Sequence, residues 1–139
     1  MKKLSLFTLL ITLIFISCSK DDDASNQEIP ANKNLIGTWE LTYRKENNNT
    51  TPNTLDNCEK TSTIEFKSDN TYSEKTFVEI SSNCVSDGEF SGSWLESNNQ
   101  LTLNFIENGE NTTNISKFSI ADDELTLVFD EITEKYKKK

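Results

Sequence analysis

From Leu35 onward, apolar side chains recur at every second position in short runs, and Asn, Asp, Ser and Gly separate one run from the next. A period of two places alternate side chains on opposite faces of an extended chain, so each run reads as a β-strand with one buried face. Eight strands are predicted, over Leu35–Arg44, Ser62–Lys67, Thr71–Ile80, Glu89–Glu96, Gln100–Ile106, Thr113–Ile120, Glu124–Phe129 and Ile132–Lys137. Trp39, Leu41 and Tyr43 share one face of the first, and Ile64 and Phe66 one face of the second. Phe90 with Trp94, then Leu101, Leu103 and Phe105, then Leu125, Leu127 and Phe129 repeat the alternation. Ser68-Asp69-Asn70, Ser97-Asn98-Asn99, Glu107-Asn108-Gly109-Glu110 and Ala121-Asp122-Asp123 supply residues that tolerate tight or left-handed backbone between neighbouring strands. Such short connections favour antiparallel neighbours, and no helix-length amphipathic period is present. The expected fold is a small all-β, antiparallel, up-and-down barrel, because closure removes exposed strand edges. One connection is long: Lys45–Thr61, polar and holding Pro52 and Cys58, reads either as an ordered lid or as a mobile loop.

The first residues follow another pattern. Leu4 to Ile16 is an apolar run of about 13 residues, relieved only by Ser5, Thr8 and Thr12, preceded by Met1-Lys2-Lys3 and followed by Ser17-Cys18. A basic start and a run of this length read as a secretory signal peptide, since spanning a bilayer takes roughly 20 residues. Ordinary cleavage before Cys18 would leave bulky Phe15 where a small side chain is needed. Phe15-Ile16-Ser17-Cys18 instead resembles a bacterial lipobox, which implies a leader over residues 1–17 and a diglyceride on the thiol of Cys18, the mature N-terminus. More than one acyl chain gives stable membrane anchoring. Residues 18–34 are polar and aperiodic and read as a tether. Its head, Ser19-Lys20-Asp21-Asp22-Asp23, resembles the acidic export signal that sends lipoproteins of some Gram-negative lineages to the outer face of the outer membrane; a plain solvated charge run is the alternative. The remaining domain is expected over residues 35–139.

Charge and cysteine usage narrow the partners. The chain carries a formal charge of −9, which becomes −11 once Lys2 and Lys3 leave with the leader. Such a surface repels phosphate backbones and anionic headgroups, so nucleic acid is excluded as an expected partner and membrane contact falls to the acyl chains. With Cys18 assigned to lipid, Cys58 and Cys84 remain as an even pair in an oxidising compartment, and a disulfide is expected. Folding about the Ser68-Asp69-Asn70 turn brings residues equally distant from it opposite each other, and Cys58 and Cys84 lie 11 and 15 residues from Asp69. A bulge or short loop that absorbs the difference would put them within bridging range near the open end. A metal site is not expected, since there is no histidine and no Cys-x-x-Cys, and neither Asp21-Asp22-Asp23 nor Asp122-Asp123-Glu124 has the spacing of a calcium loop.

Leu35-Ile36-Gly37-Thr38-Trp39 opens the first strand, and Gly-x-Trp there resembles the lipocalin signature. Together with a cysteine before Thr63-Ile64-Glu65-Phe66-Lys67-Ser68-Asp69, a second cysteine, Gly92-Ser93-Trp94 and Gln100-Leu101-Thr102-Leu103, it resembles the lipocalin-like domain of exported bacterial lipoproteins. That resemblance implies a tryptophan plugging the closed base of a barrel and a binding function. Trp39, Tyr43, Phe66, Tyr72, Phe90 and Trp94 are the candidate ligand-contacting residues, against the alternative that these aromatics simply fill the barrel. Catalysis lacks the usual residues: no histidine for a dyad, no Gly-x-Ser-x-Gly elbow and no phosphate-cradling loop. The expected function is a monomeric, cofactor-free, surface-anchored binding module for a small apolar ligand or a glycan. An envelope-structural or protein-interaction lipoprotein with a filled barrel is the second reading, and an enzyme inhibitor the third.

Overall fold

The computed structural model describes residues 32–139; the leader, Cys18 and Asp21-Asp22-Asp23 lie outside the described residues. Eight strands, β1 (Gly37–Glu46), β2 (Thr63–Phe66), β3 (Thr71–Ile80), β4 (Asn83–Ser97), β5 (Gln100–Glu107), β6 (Glu110–Ala121), β7 (Glu124–Val128) and β8 (Ile132–Lys138), pair in chain order and close into an antiparallel barrel through β1 and β8. The up-and-down barrel expected from the alternation is therefore the fold. Ser81-Ser82, Asn98-Asn99, Asn108-Gly109 and Asp122-Asp123 all take positive φ at both positions, the geometry of a two-residue turn whose twist matches the strands it joins.

One end of the barrel is solidly packed. Leu35, Trp39, Ile64, Phe66, Leu101 and Leu125 are at most 1% exposed. The Trp39 indole donates to the Leu35 carbonyl at 2.8 Å, which satisfies its one polar atom inside the base. Lys138 lies over the same ring with Nζ 5.1 Å from its centre. Trp94 packs edge-on to Phe66 at 5.6 Å and donates from its indole to the Lys67 carbonyl at 3.2 Å. Gly92 is required beside it, because a Cβ there would run into the backbone carbonyl of Asn104 on β5.

Two irregularities change what faces inward. The β1–β8 register passes from Leu41↔Tyr136 to Tyr43↔Lys135, so Thr42 is an extra residue that reverses the phase of β1 beyond it. Trp39 and Leu41 share the inner face as expected, but Tyr43 does not. It joins exposed Lys135, whose Nζ lies 5.7 Å from its ring, while Arg44 turns toward buried Glu134. The second irregularity is in β4, which starts at Asn83 and not at Glu89: the Ser81-Ser82 turn lets the hairpin continue, and Asp87 is the extra residue between Ser86 and Gly88.

The Lys45–Thr61 connection is an ordered cover. Asn53 donates its N–H to the Arg44 carbonyl at 2.9 Å, Leu55 joins the core, and a 3₁₀ turn spans Glu59–Thr61. Asp56 Oδ1 accepts from the N–H of Cys58 and of Glu59 at 2.7 Å each, and Glu59 Oε2 accepts from the Asp56 N–H at 2.8 Å, a reciprocal cap. Cys58 is bridged to Cys84 of β4, with 5.2 Å between their Cα atoms. The expected disulfide is formed, but by another route: Cys84 lies on β4 beyond the Ser81-Ser82 turn and not on the strand that folds back about Ser68-Asp69-Asn70.

Candidate functional site

The barrel is open on one side because some strands part before they end. β6 pairs with β7 only from Lys117 to Ala121, so Glu110–Ser116 has β5 on one edge and no ladder on the other. β4 likewise meets β5 only from Gly92 onward. A cavity of about 1070 Å³ occupies the half of the barrel away from Trp39. Its lining includes inner-face residues, Tyr72, Leu103, Phe105 and Ser116 among them, together with Ile115, Lys117 and Val128 from the outer face of β6 and β7. A cavity lined from both faces of the wall opens sideways, between β6 and the β7–β8 turn. Asn47, at the end of β1, fixes that turn: its side-chain amide donates to the Phe129 carbonyl at 2.8 Å, and its Oδ1 accepts from Thr133 Oγ1 at 2.6 Å.

Aromatic rings on one wall stand opposite a charged group on the other. Phe90 and Phe105 meet edge to face at 5.6 Å, on β4 and β5. Across from them Arg44 Nε donates to Glu134 Oε1 at 2.9 Å, Arg44 Nη1 approaches Glu59 Oε1 at 3.4 Å, and the Tyr136 hydroxyl donates to Glu134 Oε2 at 2.7 Å. These bonds use two of the five N–H donors of Arg44, and none of the others reaches Glu74, whose carboxylate has no hydrogen bond or ion pair among the described residues. Burial, and then the charge of Glu134, push the Glu74 carboxyl up to about 7, against the weaker opposite pull of Arg44. Tyr136 is also held well above the usual phenol range, mainly by burial. Ser116, 1% exposed on the cavity wall, carries a hydroxyl with no partner in the protein.

The structure sorts the aromatic candidates into three places. Tyr72 and Phe90 line the cavity; Trp39, Phe66 and Trp94 pack the base and do not reach it; Tyr43 lies on the outer face with Lys135. Glu74, Ser116 and Glu134 on the cavity wall, and Arg44 behind Glu134, are the residues that strand alternation alone did not single out. Asp56, Cys58 and Glu79 also bring potential metal-binding atoms within 4.8 Å of one another. Cys58 is committed to the disulfide, and both Asp56 oxygens accept backbone N–H groups, from Cys58 and Glu59 on one side and Glu79 on the other. This cluster joins the cover to the β3–β4 hairpin, and the exposed Asp56 carboxyl is lowered chiefly by the Glu59 N–H.

A Gly-x-Trp strand at the packed base of an eight-stranded barrel, with a cavity above it, is the geometry that a family comparison can decide. The model of the lipocalin-like domain matches residues 35–129. The chain belongs to the lipocalin-like domain family. A lipocalin-like protein from Bacteroides uniformis superposes with a TM-score of 0.56 at 12% identity, over 76% of this chain and 99% of that one. An uncharacterized protein from Bacteroides eggerthii gives a TM-score of 0.56 at 9% identity, again over 76% of this chain and 99% of that one. At these identities the likeness is one of fold. The curated proteins give no match. The lipocalin-like fold is that of a small-molecule binding module, and here its base is filled while its upper half is hollow.

Proposed function

We propose that the protein is a lipid-anchored, non-catalytic module of the cell surface that holds one small, largely apolar molecule in the lateral cavity of its barrel. The cavity carries this reading. At about 1070 Å³ it stands just above the roughly 300–1,000 Å³ of small-molecule sites, and its wall combines aromatic and aliphatic side chains, Tyr72, Phe90, Leu103 and Phe105, with polar ones such as Glu74, Ser116 and Glu134. A filled barrel that recognises proteins through its loops accounts for the base but not for this volume. Arg44 and Tyr136 are engaged with Glu134, which fits a structural role for that carboxylate better than proton transfer. The anchor and address rest on the basic start, the apolar run, Cys18 and Asp21-Asp22-Asp23.

Fluorescence titration with the neutral probe N-phenyl-1-naphthylamine tests the binding reading. One probe should bind per chain, and Ser116→Phe, which puts a ring into the cavity, should abolish the signal while the domain stays folded. Failure of the wild type to bind, or equal binding by the variant, refutes the site. Metabolic labelling with an alkyne fatty acid tests the anchor: the wild type should be labelled and Cys18→Ser should not.

A further inference from the structure

We propose that the preferred ligand is a protonated amine carried on an apolar body, with its cationic head between Glu74 and Glu134 and its body against Tyr72, Phe90 and Phe105. This deepens the binding reading above and rests on it. The charge balance of the cavity is the first observation. Of the two carboxylates on the inner wall, Glu134 is paired with Arg44, which also bonds Glu59 outside the cavity, and Glu74 feels the charge of Arg44 without a bond to it. At the mouth, Glu107, Asp130 and Glu131 stand against Lys117 alone. The field is thus negative from mouth to interior, which favours entry of cations and opposes a fatty-acid carboxylate.

Glu74 is the second observation. A carboxylate drawn out of water without a partner is costly, and a cation beside it removes that cost. The charged and titratable groups that face it are Arg44 from β1, Glu134 and Tyr136 from β8 and Tyr72 from its own strand; its cross-strand neighbours are Ile64 on β2 and Phe90 on β4. Arg44 is the one cation among them, and none of its N–H groups bonds Glu74. Aromatic rings beside an uncompensated carboxylate form a cation-binding surface, since ring faces attract positive charge. The unpartnered hydroxyl of Ser116 is the third observation and is independent of the charges: a buried polar group on a cavity wall with no protein partner is completed by a ligand or a water. An ammonium N–H, or a polar substituent next to it, supplies that bond.

Decylamine, 1-decanol and decanoate differ only in the head group and can each be used to displace N-phenyl-1-naphthylamine. At pH 8 decylamine should compete at least about tenfold more tightly than decanol, with decanoate weakest. Between pH 8 and pH 6 the decylamine affinity should fall about tenfold, as Glu74 takes up the proton that the ammonium must displace. Glu74→Gln keeps the shape of the side chain and should remove both the preference for amine and its pH dependence. Decanol equal to decylamine, or decanoate tighter than either, overturns the amine assignment while the probe's own binding leaves the cavity reading standing. Tighter decanol binding in acid also overturns it, because Glu74 would then act as a neutral hydrogen-bond donor. If the probe itself does not bind, both readings fall.

Discussion

Arg44 lies beside Glu134 on the inner side of the barrel, Nε to Oε1 at 2.9 Å, because Thr42 is an extra residue in β1. Were Thr42 paired as an ordinary strand residue, the alternation that buries Trp39 and Leu41 would bury Tyr43 and send Arg44 into solvent. Removing the guanidinium leaves Glu134, which is 8% exposed, without its main counter-charge. Arg44→Met should therefore destabilise the domain by about 3 kcal/mol, at the low end for a broken buried pair because Arg44 is partly solvated. The double variant Arg44→Met/Glu134→Gln should recover most of that loss in urea denaturation, since an amide can still accept from Tyr136. Additive losses would mean that the two side chains act independently.

The disulfide closes a loop of 26 residues between the cover and β4. In the chain-entropy model a loop of that length is worth about 3.5 kcal/mol. Reduction should lower the denaturation midpoint accordingly, and Cys84→Ala should match the reduced wild type. Intact-mass measurement of the oxidised, denatured domain should show no thiol at Cys58 or Cys84 reacting with an alkylating agent. Alkylation of both would refute the bridge.

Gly92 and Gly109 separate two reasons for glycine. At Gly92 the obstacle is the Asn104 carbonyl, rigid backbone that cannot yield as a side chain would. Gly92→Ala should cost on the order of 2 kcal/mol through a forced shift of β4 against β5. At Gly109 the space is open and only φ of +84° resists a side chain. Gly109→Ala should cost about 1 kcal/mol, and equal losses at the two positions would contradict the close approach.

The packed half of the barrel was legible in the sequence and the hollow half was not. Trp39, Ile64, Phe66, Leu101, Leu103, Leu125 and Leu127 are apolar at alternate positions in unbroken ladders, so period two identifies their face without further information. Asn98-Asn99, Asn108-Gly109 and Asp122-Asp123 carry their own turn chemistry. Ser81-Ser82 takes the same turn with residues that advertise it poorly, so composition does not mark the start of β4. A bulge leaves no mark in composition, so alternation predicts Tyr43 inside where the inversion at Thr42 puts Arg44. Glu74 and Glu134 were readable in principle: each is two residues from a buried tyrosine, Tyr72 and Tyr136, and so shares its face. The rule that charged residues mark the outer face hid them. That rule fails where a cavity replaces packing.

Glu74 also gives the domain a pH dependence of definite sign. Its carboxyl titrates near 7 in the folded protein and near 4.5 when exposed, so between those values the folded state holds a proton that the unfolded state has released. Stability from this group is present below about pH 4.5 and declines as pH rises toward 7, by on the order of 3 kcal/mol in all. The lowered carboxyls of Asp56 and Asp69 act in the opposite sense but at lower pH, outside this window. General repulsion in an acidic protein has the same sign as Glu74, so the wild-type curve alone does not isolate it. The comparison with Glu74→Gln does. Urea denaturation at pH 5, 6, 7 and 8 should show the variant gaining on the wild type as pH rises, with the difference levelling off above pH 7. Parallel curves from pH 5 to 8 would mean that Glu74 is well solvated, and the uncompensated carboxylate inside the barrel would have to be abandoned.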